Sequence, residues 1–264
     1  MDEKPFYVGE ESKVLTFKKD HDTRPQPSVQ QPLRAHYSFI FGISAVGDFT
    51  RPALLLPLKT LPDETEPFLG RIAFYPTSTG YIQTPSLLKW TTEIFLKKVD
   101  ELRSLHGTAN TPFLLLMDNH ATRLDSNFLT TLSQHNITLF TFPPNSTFVL
   151  QPLDLVFNGV FQNHFQRLYQ IPKVELGIAG ERTAVFSAAS DAFQLSCMND
   201  TITGSFVRSG VHPLDECEPL TNNAVISGPP QPLAPLRGDR PDIRARELTD
   251  LKFIDEVVMW ESKK

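Results

Sequence analysis

Phe113-Leu-Leu-Leu-Met-Asp-Asn-His120, FLLLMDNH, is five apolar residues followed at once by a carboxylate, an amide and an imidazole. An unbroken apolar run this short predicts a strand buried on both faces. Asp118 then falls where the strand ends, at the edge of a sheet, which is where open α/β folds bind ligands. The same residue also reads as the cap of a following helix, because Asp and Asn are preferred there.

Downstream, Leu124, Phe128 and Leu132 recur at helical spacing and predict a short helix over Leu124–Gln134. Ile137–Phe142, ITLFTF, predicts a second buried strand, and the polar turn PPNSTFVLQP follows it. A helix then opens at Leu153-Asp154 and runs to about Gln170, with an apolar stripe that includes Phe157, Phe161 and Phe165. Upstream, Leu87, Trp90, Ile94, Phe95, Val99 and Leu102 predict a helix from Pro85 to about His106. Tyr37–Val46 and Ala53–Leu58 are rich in aromatic and aliphatic residues around Gly47-Asp48 and predict a hairpin. Leu61–Thr84, punctuated by three prolines and Gly80, reads as loop. Residues Asp2–Arg34 read mostly as loop, with a short strand near Lys13–Phe17. Ala184–Leu195 and Asn199–Arg208 predict two more helices, Leu214–Ala245 a flexible Pro-rich tail, and Glu247–Glu261 a terminal amphipathic helix.

Composition narrows the class. With 264 residues, 40% of them hydrophobic and 21% charged, the chain can build a packed core. A net charge of −5 argues against a dedicated, strongly basic nucleic-acid module, though not against a local basic groove. Two cysteines, Cys197 and Cys217, fit a reducing compartment and supply no zinc framework. No apolar stretch is long enough for a transmembrane helix.

The predicted order is strand, strand, helix, strand, helix, strand, helix. With one more strand ahead of the hairpin it becomes a ribonuclease-H-like mixed sheet with flanking helices, its first strand truncated at the start of the chain. In such a fold, neighbouring parallel strands bring Asp118 and Asp154 to one edge. Paired carboxylates repel unless a cation lies between them, and hard oxygen donors suit Mg²⁺ or Mn²⁺.

The run from Leu114 to Phe165 resembles the core of the DDE superfamily endonucleases, in the pogo/Tigger/jerky branch of the mariner-like transposases. The family's strand ends in a D-x-H-like triplet, here Asp118-Asn119-His120, and its P-P-x-x-T turn and Q-P-L-D run match Pro143–Thr147 and Gln151–Asp154. The hairpin ISAVGDFTRPALLLP, the segment TGYIQTPSLLKW and FVRSGVHP at Phe206–Pro213 are similar to other parts of that domain. The resemblance implies a catalytic core over residues 1–215 and a Pro-rich tail with a short helix over 216–264. It implies Asp2, Asp118 and Asp154 as catalytic metal ligands, two Mg²⁺ or Mn²⁺ ions, DNA as partner, a homodimer and a nuclear location. Asp2 matches the first acid of the family's N-x-D-E-T-G motif, although Lys4-Pro5 stand in place of T-G. The alternative is a catalytically inactive, transposon-derived nucleic-acid-binding or protein-interaction domain. Around the site, His120 reads as a loop histidine, Asn119 as a turn residue, Asp48 as a turn residue and Asn158 as a solvated helix position. Lys97, Lys98 and Arg103 read as a solvated helix face.

Overall fold

The computed structural model describes residues 1–8, 35–105, 109–118, 125–169, 178–222 and 248–262. The strand anticipated near Lys13–Phe17, with Asn119 and His120, lies outside them.

Three strands form an antiparallel meander: β1 (Asp2–Val8), β2 (Ala35–Phe41) and β3 (Ala53–Leu56). Asp2 pairs with Phe41, and Ser38 of β2 pairs with Leu55 of β3. Residues 2–8 are therefore a strand of seven residues and not loop. Pro5 is tolerated because β1 is an edge of this four-stranded sheet, where a missing N–H is least costly. A fourth strand, β4 (Ala73–Pro76), runs parallel to β3. It corrects the reading of Leu61–Thr84 as loop: a 3₁₀ turn at Asp63–Phe68 and a four-residue strand lie inside it. AFYP is too short to show alternation, and its pairing comes from β3.

A helical rod follows, α1 (Thr84–Trp90) and α2 (Leu96–Leu105), joined by a π-wound turn over Thr91–Phe95. The Ser86 hydroxyl accepts from the Gln83 N–H at 3.0 Å and fixes the start. β5 (Phe113–Met117) and β6 (Ile137–Thr141) pair in parallel, with Phe113 beside Ile137 and Met117 beside Thr141. Between them α3 (Ser126–Gln134) is capped by the Asp125 carboxylate, which accepts from Phe128 N–H at 2.8 Å. That cap is Asp125 and not Asp118. A short α4 (Thr147–Leu150), a π-wound turn over Leu153–Phe157 and α5 (Asn158–Leu168) complete the motif region. α6 (Ile178–Ser196), α7 (Asn199–Arg208) and α8 (Leu251–Glu261) follow.

Helices cover both faces of the meander. Phe39, Phe41, Leu54, Leu56 and Phe74 point to an aromatic layer made with Phe157, Phe161 and Phe165 of the α5 rod and Phe186 and Phe193 of α6. Ile40, Ala53, Leu55 and Tyr75 point the other way, to Leu87, Trp90, Phe95, Leu129 and Phe253. The odd–even split of β3 between these cores is the period of a strand made visible. The segment read as a tail ends in a helix packed into the second core: Leu248 N–H donates to Leu139 O at 2.8 Å, and Phe253 and Val257 are fully buried.

β5 and β6 depart from the expectation of strands buried on both faces. Leu115 and Met117 are buried while Leu114 is 63% exposed, and Phe140 of β6 is 38% exposed. The Met1 ammonium donates to Leu116 O at 3.0 Å, which sets the start of β1 against β5. Beyond that bond a cavity separates β5 from the chain that continues β2 past Phe41.

Candidate functional site

Asp118 follows the last residue of β5 and is half-buried. The ends of strands are where open α/β folds bind ligands. Asp2 opens β1, and Met1, the residue before it, is bonded to Leu116. The cavity beside Met1 is lined by Gly42–Ala45 and Phe113–Leu116, so β1 runs away from Phe113 and toward the Asp118 end of β5, which with β6 forms a separate two-stranded sheet and not one sheet with the meander. The Met1 bond thus brings the start of β1, where Asp2 lies, to the end of β5 that Asp118 follows.

Asp154 lies in the first turn of the π-wound segment and is exposed. A carboxylate there is favoured by the free N–H groups of a helix start. Its Oδ1 accepts from Asn158 Nδ2 at 2.9 Å. Asn158 is only 3% exposed, which corrects its reading as a solvated position. The spacing of four residues was the available signal, because i and i+4 share a helix face. Leu153 and Phe157, on the core side of the same turn, anchor the segment that carries Asp154.

Two basic residues of the α1–α2 rod also differ from a solvated face. Arg103 is 7% exposed and donates to Thr111 O at 3.1 Å and His135 O at 2.7 Å. It ties the loop before β5 to the turn before β6, and so holds the two strands in register. Lys98 bridges Asp48 at 3.3 Å and Glu101 at 3.0 Å, so Asp48 is an ion-pair partner as well as a turn residue. Those hydrogen bonds and charges outweigh partial burial and raise the Lys98 pKa. Lys97 is exposed, as expected.

Carboxylate oxygens fit a hard divalent cation, which is the donor chemistry that Asp118 and Asp154 supply. Among the described residues, no group of three His, Cys, Asp or Glu side chains is arranged to hold a metal ion.

Residues 65–183 match the family model described as DDE superfamily endonuclease, a span that contains both Asp118 and Asp154. No curated protein and no solved structure matches the chain. The family match supports a transposase-like function and DNA as the class of substrate. The strands and helices are those of a mixed α/β domain. No helix among the described residues is long and apolar enough to cross a membrane.

Proposed function

We propose that this chain is the catalytic core of a transposase-like DNA endonuclease with a ribonuclease-H-like fold, of the pogo/Tigger/jerky type. The observation that carries the reading is the family match across both acids, one at the end of a sheet strand and one at a helix start. Asp118 and Asp154, with Asp2 at the start of β1, are the residues that would hold Mg²⁺ or Mn²⁺. Bound there, divalent ions would supply charge stabilisation and an activated oxygen nucleophile for phosphodiester cleavage.

The chain's own residues do the positioning. β5, fixed to β6 through five paired residues, sets the backbone at Asp118. Asn158 holds one oxygen of Asp154 and so limits the rotation of that carboxylate. The phenylalanines of the α5 rod keep the segment against the sheet. Catalysis of phosphoryl transfer is mostly such positioning, and a misplacement of about 1 Å can cost about 10²-fold in rate. A homodimer working in the nucleus belongs to the same reading.

A second reading is an inactive, transposon-derived domain that binds nucleic acid or protein. The Lys4-Pro5 pair that stands in place of the family's T-G beside Asp2 favours it.

One pair of measurements separates the two. Millimolar Mg²⁺ or Mn²⁺ should raise the melting temperature, since a ligand that binds only the folded state stabilises it. The shift should vanish in Asp118→Asn and persist in Asp191→Asn, a surface carboxylate paired with Arg71. Metal-dependent nicking of supercoiled DNA, lost in Asp154→Ala, should accompany it. A metal-induced shift of equal size in wild type and Asp118→Asn would overturn the assignment. A shift without nicking would favour the inactive domain.

A further inference from the structure

Asp154 and α5 belong to one helical rod. In its π-wound turn the Asn158 N–H donates to Leu153 O, five residues back. A π turn spends one extra residue, so the line down the rod from Asp154 passes between Asn158 and Gly159. Asn158 is buried and bonded to Asp154, while Gly159 is exposed. From Gly159 the same side continues through Asn163, Gln166 and Arg167, at steps of four, seven and eight residues, and all four are exposed. Phe157, Phe161 and Phe165 take the opposite side, in the aromatic layer against the sheet.

Three features of this strip suit a polyanion. The first is charge. Leu155–Tyr169 holds no Asp or Glu, so the outer side of the rod presents amides, a glycine and a guanidinium on a chain whose net charge is −5. Glu181 of α6 lies near Tyr169, past Arg167, and bounds the strip at its far end. The second is Arg167. Arg51, Arg71, Arg103, Arg182 and Arg208 each hold a carbonyl or a carboxylate of the chain. Among the described residues Arg167 has no such partner, although its planar fork matches a phosphate. The third is Gly159. A glycine inside a helix is destabilising relative to alanine. A Cβ at Gly159 would meet nothing within 4 Å, so no packing inside the chain requires the glycine. It leaves the backbone bare on the solvent side of the turn that carries Asp154, where another chain can come closest.

We propose that the exposed face of α5 is a track for the sugar–phosphate backbone of the DNA substrate, with Gly159 as the point of closest approach and Asn163, Gln166 and Arg167 as donors to phosphate oxygens. Resting on the reading of Asp154 as a metal ligand, the track gives the path of the strand that brings a phosphate to that carboxylate. From Asp154 to Arg167 the rod is ~20 Å long at 1.5 Å per residue, the length of about six base pairs. Amide and guanidinium contacts to phosphate fix position and carry no sequence information, so the track orients DNA of any sequence. The strip offers no large apolar side chain to a protein partner.

The test uses the whole chain and a fluorescent DNA duplex of about two helical turns, in EDTA, so that binding is read apart from metal and cleavage. Arg167→Gln should weaken binding at least threefold and lower the slope of log affinity against log salt by about 0.9, the share of one phosphate. Gly159→Leu should weaken it at least fivefold without lowering the melting temperature, because leucine favours helix and the space in front is open. Lys97→Gln on α2 and Gly204→Leu on α7, the same changes elsewhere on the surface, should leave affinity within twofold. Equal losses in these controls would mean diffuse charge or bulk and overturn the track, as would a wild-type chain that does not bind the duplex. Nicking of supercoiled DNA in Mg²⁺ is read on the same proteins. Weaker binding at Gly159 and Arg167 in a chain that does not nick would support the track and overturn the catalytic reading. Nicking at the wild-type rate by both variants would support the catalytic reading and overturn the track.

Discussion

Ala53–Leu56, ALLL, and Phe113–Met117, FLLLM, are close in composition and both are strands, but they live in different surroundings. β3 lies between β2 and β4, with helices on both faces, and every one of its residues is fully buried. β5 has β6 on one side and the cavity on the other, and Leu114 is exposed beside a buried Leu115. An apolar run therefore tells that a strand forms, and it is the neighbours, contributed by distant parts of the chain, that decide how much of it is covered. For β3 those neighbours are α5 and α6 on one face and α1 on the other. For β5 the second side meets Met1 at Leu116 and the cavity beside it.

The largest loss should come from the covered side. Phe193 of α6 packs against Phe39, Phe41, Phe49 and Phe157, with ring centroids between 5.3 and 6.2 Å apart. Phe193→Ala should cost about 3–5 kcal/mol by chemical denaturation, from lost burial and the cavity left behind. The direct contrast is between two leucines. Leu54→Ala, at 0% exposure, should cost about 2–5 kcal/mol. Leu114→Ala should change stability by about 0.5 kcal/mol or less, as at other exposed positions. Similar losses at the two leucines would break the distinction between the strands.

Arg103→Met comes next. It removes the donor that Thr111 and His135 carbonyls share and leaves those acceptors in a half-buried place. The expected cost is about 1–3 kcal/mol. Arg103→Lys should recover little of it, because a single ammonium cannot reproduce the planar fork. Lys97→Ala, on the exposed side of the same rod, should be close to neutral. A loss at Lys97 equal to that at Arg103 would show that the rod's charge, and not the carbonyl clamp, carries the effect.

Much of this fold is written in local pattern. The α7 helix lies at Asn199–Arg208 as its spacing indicates, β3, β5 and β6 lie within the apolar runs that predict them, and β2 overlaps its run but begins earlier, at Ala35, and ends at Phe41. What escapes is set by partners far away in sequence. β1, with Lys4 and Pro5, becomes a strand because β2 offers it an edge. β4 ends in Pro76 and lies inside a Pro-rich stretch, and only its pairing with β3 marks it as sheet. Arg103 looks like any surface arginine of a helix, since nothing nearby in sequence announces the carbonyls of residues 111 and 135. At the candidate site, the strand-end place of Asp118 is legible from FLLLMD alone. The Asn158 contact to Asp154 is carried by helical spacing, but the burial of Asn158 depends on the packing of the α5 rod against the sheet.

The smallest effect separates two thiols. Cys197 sits at the end of α6 and packs against the aromatic core, and burial pushes its pKa from 9.0 up to about 12. Cys217 is exposed. Alkylation requires the thiolate, so native protein at pH 8 should take up one equivalent of iodoacetamide, at Cys217, and a second only in denaturant. The same burial has a pH signature. The folded state holds the Cys197 proton more tightly than the unfolded chain does. Its contribution is fully present below pH 9 and is lost as pH rises through about 12. Burial raises Tyr169 to about 12 as well, so wild-type stability should fall over this range for more than one reason. The Cys197 share is the difference between wild type and Cys197→Ala, and that difference should narrow or change sign as pH climbs above 9. Two equivalents taken up at equal rates by native protein, or a difference between the two proteins that is flat from pH 8 to 11, would show that the α6 end opens to solvent and that this side of the sheet is covered less than β3 implies.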